Sequence, residues 1–193
     1  MGYNKAKKSR KINSGKNLWL LKFKENWNSK KPVLLFVLIF LLILVAFYSF
    51  LLTAFYLEKI QPRIVNVNSA ISNYILNTLG QRTTAVAENI YSAAFNISVK
   101  RGCDGVEAMA LFAAALLAYP AAWKLKAKNL LIGISLLFCL NIIRIVSLFM
   151  IGVYKPQYFE TFHIEVWQVI FILVAVTMWI IMLSRSSKAK SHA

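Results

Sequence analysis

Acidic residues are scarce in this chain. It has 7 Asp and Glu against 23 Lys and Arg in 193 residues, a formal net charge of +16. Histidine and cysteine are scarcer, with 2 of each. Cys103 follows a polar segment and Cys139 sits among Leu and Phe. That pair makes neither a disulfide framework nor a zinc pattern, and no metal or cofactor is expected. Internal repeats and low-complexity tracts are also lacking. Apolar residues are abundant instead, at 59% of the chain, with a mean hydropathy of +0.58. A soluble domain of this size cannot hide that much apolar surface.

The basic surplus is concentrated at one end. Residues 1–31 carry Lys5, Lys7, Lys8, Arg10, Lys11, Lys16, Lys22, Lys24, Lys30 and Lys31 against a single acid, Glu25. This tail runs straight into an apolar segment. Such a pattern reads as a topology signal that keeps the tail inside, touching anionic membrane lipids. Nucleic acid is not expected as a partner, because no aromatic-interleaved binding fold accompanies the charge.

Four segments are near the ~20 residues that a membrane crossing requires. They cover residues 33–57, 106–123, 130–153 and 164–183. The first has too long an apolar run and too long a basic flank for a cleavable signal peptide, and no small-residue cleavage site follows. Lys124, Lys126 and Lys128 read as an inner loop, and Arg185, Lys188 and Lys190 mark an inner C-terminal tail. The predicted fold is therefore an all-α polytopic membrane protein of about four transmembrane helices, with both ends inside. Its parts are a basic cytoplasmic tail (1–31), one membrane-embedded domain (32–184) with an outer loop at 58–104, and a basic cytoplasmic tail (185–193).

The outer loop is too long for a plain connector. Ile60, Ile64, Val67, Ile71, Tyr74 and Ile75 fall at helical spacing, with Asn66, Asn68, Ser72, Asn73 and Asn77 between them. This predicts an amphipathic helix lying on the membrane or on the other helices. Gly80-Gln81-Arg82 breaks it. Residues 95–99 (Phe-Asn-Ile-Ser-Val) alternate as a short strand would, just before the second membrane helix.

On this topology three unusual side chains meet at one outer depth. Cys103 lies at the outer end of the second helix, where the helix N-terminus is expected to lower its thiol pKa. Its plainer reading is a small turn residue or a palmitoylation site. Arg144 sits inside the third helix, about 21 Å up if that helix starts near residue 130. A cation there disfavours insertion by about 2.5–3.5 kcal/mol and needs a partner, a wet cavity or a route to the interface. Asn141, Arg144 and Ser147 form a polar stripe with it. His163 opens the fourth helix and is a base able to take a thiol proton and return it to a leaving amine; otherwise it is an interfacial residue. Asp104 and Glu107 fit a helix capping box. Glu107 or Glu165 also offers a partner for Arg144 or His163.

Three motifs, Gly102-Cys103-Asp104-Gly105-Val106-Glu107, Asn141-Ile-Ile-Arg144-Ile145-Val146, and His163 ahead of Val166-Trp167-Gln168, resemble the exosortase/archaeosortase family, most like the exosortase H subgroup. The resemblance covers roughly residues 95–170, and the chain is shorter than many exosortases. It implies a membrane cysteine protease or transpeptidase of the bacterial plasma (inner) membrane with its active site facing outward. Its substrates would be exported proteins bearing a C-terminal motif, a transmembrane helix and a basic cluster, and its acceptor is unknown. It also implies that Cys103 is the nucleophile, Arg144 the stabiliser of the acyl intermediate, and His163 the acid/base. The competing expectation is a non-enzymatic scaffold or transporter accessory subunit.

Overall fold

The computed structural model describes residues 30–191; the basic tail expected at 1–31 lies almost wholly outside them. Among the described residues, three helices are long and apolar enough to cross a membrane, and a fourth apolar helix is shorter. The first, α1, is Lys30–Leu51. It carries no charge beyond its first turn, and its side chains stay largely uncovered, as lipid-facing side chains do. Thr53 ends it: its hydroxyl donates to the Phe50 carbonyl at 2.7 Å and accepts the Tyr56 N–H at 3.3 Å. The chain then restarts as a π-turn, Tyr56–Ile60, and continues as α2, Gln61–Thr78.

Helix α2 is amphipathic as expected, but its inner face is the polar one. Val65, Asn68, Ser69, Ser72 and Leu76 are buried, while Val67, Ile71 and Tyr74 are exposed. Asn68 and Ser69 face inward and hold backbone, while the buried Ser72 hydroxyl has no partner among the described residues. The Ser69 hydroxyl donates to the Ala87 carbonyl. Asn77 grips Thr83 twice, donating to its carbonyl and accepting its N–H, both at 2.9 Å. Buried backbone groups need such partners.

Those contacts fasten a small antiparallel sheet of order β1-β2-β3: Thr84–Val86, Asn89–Tyr91 and Asn96–Ser98. Thr84 pairs with Tyr91, and Asn89 with Ser98. Only the third strand was expected from alternation. Ile90 and Val99 pack with Val65 and Leu76 of α2 and with Ile145 and Phe149 of the long helix Trp123–Tyr154, forming one apolar core.

Helix α3, Val106–Ala118, has 13 residues and rises about 20 Å. It stops five residues before the predicted end. Pro120 biases the preceding Tyr119 out of the helical region, and Tyr119 is extended with ψ 134. Ala122 is extended too. Helix α4, Trp123–Tyr154, then runs for 32 residues. The lysines read as an inner loop are instead its opening turns. Lys126 is buried there and donates to the Leu117 carbonyl at 2.6 Å, placing a cation on the C-terminal end of α3. Its early start also puts Arg144 about 31 Å along α4 rather than 21 Å.

A 3₁₀ turn (Pro156–Tyr158), one helical turn α5 (Phe159–Thr161) and a π-turn (Phe162–Val166) lead into α6, Trp167–Ser191. The last crossing is thus one helical run from Pro156, and His163 lies inside it rather than at its start. Phe112, Leu116, Leu137, Leu148, Trp167, Phe171 and Met182 of α3, α4 and α6 form the membrane-level core. Between apolar helices in lipid, close contact replaces the hydrophobic drive. Gly133 permits it: a Cβ there would stand 2.0 Å from the Phe112 ring.

Candidate functional site

The start of α3, the C-terminal half of α4 and the start of the last crossing converge on Cys103. The cysteine sits in a turn between β3 and α3, flanked by Gly102 with φ 86 and Gly105 with φ 78. Both angles are left-handed, which glycine adopts without a side-chain clash. The Cys103 N–H closes the turn on the Lys100 carbonyl at 2.9 Å. Asp104 is buried, and its Oδ1 accepts the Val106 N–H at 3.2 Å. It therefore caps the start of α3, though from one position further out than a regular N-cap. Glu107 lies in the first turn of α3 but at its second residue, one short of the position a capping box requires.

His163 comes from the π-turn, an arrangement that recurs at functional sites because it re-aims one residue. Its Nε2 lies 3.0 Å from Cys103 Sγ across 60 residues of sequence. The Phe159 ring lies beside the imidazole, with centroids 5.6 Å apart. Arg144 reaches the same point from α4. Its Nη2 is 3.8 Å from Cys103 Sγ and donates to the His163 carbonyl at 3.4 Å. The Phe171 ring lies 5.7 Å from the guanidinium carbon, within cation–π range. The three side chains singled out in the sequence are thus brought into contact. Among the described residues, Arg144 forms no ion pair with a carboxylate, so neither Glu107 nor Glu165 is its partner. Glu165 is exposed.

The electrostatics differ from the expectation of a thiol acidified by a helix end. Burial pushes the Cys103 thiol above its ordinary value, Arg144 pulls it down, and Asp104 and Glu107 raise it further. The helix starts three residues later, at Val106, with the Asp104 carboxyl placed against its end. The thiol therefore depends on a proton acceptor in contact, which His163 is positioned to be. Burial also raises the Asp104 carboxyl, the Val106 N–H opposes this, and Glu107 adds to it.

Asn141 is fully buried, and neither of its amide atoms has a partner. It packs under the turn: a Cβ on Gly105 would stand 3.0 Å from Asn141 Cγ. Residues that the sequence did not single out for the site also meet here. Asn68 of α2 donates to the Asp104 carbonyl. Gln168 and Phe171 line a pocket of about 400 Å³ with Gly102, Gly105, Glu107, Arg144 and His163. The polar spacing of α2 was the one available sign of Asn68, and it also fits a solvent-facing stripe. Among the described residues no three His, Cys, Asp or Glu side chains cluster to hold a metal.

A second, apolar cleft of about 310 Å³ lies below this pocket. Phe36 and Phe40 of α1, Ala115 of α3 and Trp179 of α6 line it. Ala108, Leu111, Phe171 and Ile172 line both spaces, so the two adjoin.

In comparison with known proteins, residues 29–180 match the family model described as transmembrane exosortase (Exosortase_EpsH). No curated protein and no solved structure matches the chain.

Proposed function

The chain belongs to the transmembrane exosortase family, and from that premise we propose that it is a membrane cysteine peptidase or transpeptidase. It cleaves exported proteins at their C-terminal sorting signals, on the outer face of a bacterial plasma membrane. One observation carries the assignment: Cys103 Sγ and His163 Nε2 are 3.0 Å apart, with Arg144 Nη2 3.8 Å from the same sulfur. Two reactive groups and a cation meeting across this much sequence, with the cation on an apolar helix and unpaired by any carboxylate among the described residues, argue for chemistry.

The steps follow from the contacts. The Cys103 S–H proton passes to His163 Nε2, and the sulfur attacks the scissile carbonyl carbon. A C–S bond forms, and the carbonyl π pair moves to oxygen. Arg144 supplies positive charge beside that oxyanion. When the intermediate collapses, the C–N bond breaks and His163 returns its proton to the leaving amine. A thioester remains on Cys103. An amine, hydroxyl or water acceptor then attacks it, and the departing sulfur regains a proton. The apolar cleft between α1, α3 and α6 takes the membrane segment that adjoins the scissile peptide. Residues 32–184 act as one membrane-embedded unit.

The test is processing of a co-expressed substrate with a C-terminal sorting signal, read as a mobility shift. Cys103→Ala abolishes processing while the protein stays inserted. A scaffold or accessory subunit would tolerate that change, so full processing by Cys103→Ala refutes the enzyme reading.

A further inference from the structure

The turn that carries Cys103 has little support of its own. Residues 102–105 belong to neither helix nor strand, and two of the four have left-handed backbones. The bond from Cys103 N–H to Lys100 and the Asp104 cap are local. The support from outside comes from two amide side chains that no catalytic step uses. Asn141 of α4 packs against Gly105. Asn68 of α2 is fully buried, and its Nδ2 donates to the Asp104 carbonyl at 3.2 Å, 36 residues away.

Asn68 is itself firmly held. Its helix is fixed to the hairpin by Ser69 and to Thr83 by Asn77. Val65 and Leu76 anchor the same face in the apolar core with Ile145 and Phe149 of α4. That core helix also carries Arg144. Asn68 therefore ties the nucleophile's turn to the element that positions the cation. Tyr56, buried ahead of α2, lies within electrostatic reach of the turn: burial raises its phenol, and the charges of Asp104, Arg101 and Glu107 act on it.

We propose that Asn68 is a positioning residue for Cys103, and that α2 serves as the arm that holds the nucleophile's turn at contact distance from His163. The inference rests on the reading of Cys103 as nucleophile. Asn68 is not catalytic: its bond is to the carbonyl of the next residue, and it acts through that backbone. A shift of about 1 Å in a reacting group costs on the order of 100-fold in rate.

The experiment uses the full-length protein in a Cys139→Ala background, leaving Cys103 as its single thiol. Two quantities are measured: the pH profile of Cys103 alkylation by iodoacetamide, and kcat and KM for substrate processing. The groups that face the thiol are His163, Arg144, Asp104 and Glu107. Asn68→Asp keeps the shape of the side chain and replaces the donor with an acceptor facing the Asp104 carbonyl. It should move the alkylation profile to higher pH and lower kcat by roughly 100-fold, with KM within about threefold. Val65→Ala, a cavity on the same helix face, should lower the melting temperature yet leave the profile in place. Should Asn68→Asp not insert as a folded protein, Asn68→Ser gives the same displacement on a smaller scale. Folded Asn68 variants with the parent profile and kcat overturn the proposal. So does a Val65→Ala profile displaced as far as theirs, because the effect would then be general loosening. Processing that survives Cys103→Ala refutes the catalytic reading instead, and the alkylation profiles still decide the fate of the clamp.

Discussion

Replacing Arg144 with lysine keeps a positive charge and tests whether its reach matters. In the structure Nη2 serves two partners, Cys103 Sγ at 3.8 Å and the His163 carbonyl at 3.4 Å. The lysine nitrogen ends one bond sooner, a retreat of about 1.3 Å. At an effective dielectric constant near 20, drawing a unit charge back from 3.8 Å to about 5.1 Å loses about 1.1 kcal/mol of attraction for a thiolate or oxyanion. Losing the charge-assisted bond to the His163 carbonyl adds about 1.5 kcal/mol. At about 1.4 kcal/mol per tenfold, these give a loss in kcat/KM of roughly 70-fold. The assay is the initial rate of substrate processing in membranes at matched expression, with Arg144→Gln alongside to remove the charge. Activity of Arg144→Lys within about threefold of wild type would refute the reasoning, since charge alone would then suffice.

Three other outcomes follow from the same contacts. His163→Ala should lower kcat by roughly 10²–10⁴-fold and move Cys103 alkylation to higher pH; an unmoved profile would remove His163 from the thiol's proton balance. Burial raises the Asp104 carboxyl in the fold, so its contribution to stability is fully present below the unfolded value and is lost as pH rises through the folded one. Asp104→Asn should therefore show a smaller fall in melting temperature between about pH 4 and pH 8, and parallel melting curves for the two proteins would contradict this. Ala115→Trp, which fills the apolar cleft, should stop processing of a membrane-anchored substrate while Cys103 alkylation stays normal; retained processing would place the substrate helix elsewhere.

The residues that converge at the candidate site were more legible in the sequence than the architecture was. Cys103, Arg144 and His163 stand out because each is rare or costly where the hydropathy places it, and rarity survives errors in helix boundaries. The boundaries themselves shifted where short-range signals compete. The lysines after Pro120 look like a loop by charge, yet lysine is a good helix former, and Lys126 gains a partner on the end of α3. His163 looked like a helix start because the polar stretch before it hid a continuous helical run. All three strands have 3 residues, and two escaped notice because only the third lies within an alternating apolar–polar run, residues 95–99. Their hairpin turns at Ala87, with φ 52, without the glycine or asparagine that would announce it. On α2 the polar face was visible, but side-chain chemistry does not say whether an asparagine faces water or a buried carbonyl. The expectation of an acidified thiol failed because proximity to a helix end was weighed and burial was not.

The central claim is that Cys103 forms a covalent acyl intermediate. Its most direct test is intact-protein mass spectrometry of the enzyme recovered during turnover with an excess of substrate. The account predicts a species heavier by the substrate's N-terminal fragment. The adduct should map to Cys103, be released by hydroxylamine as a thioester is, and be absent from Cys103→Ala. Substrate cleaved at full rate with no adduct on Cys103, or an adduct that persists in Cys103→Ala, would contradict it.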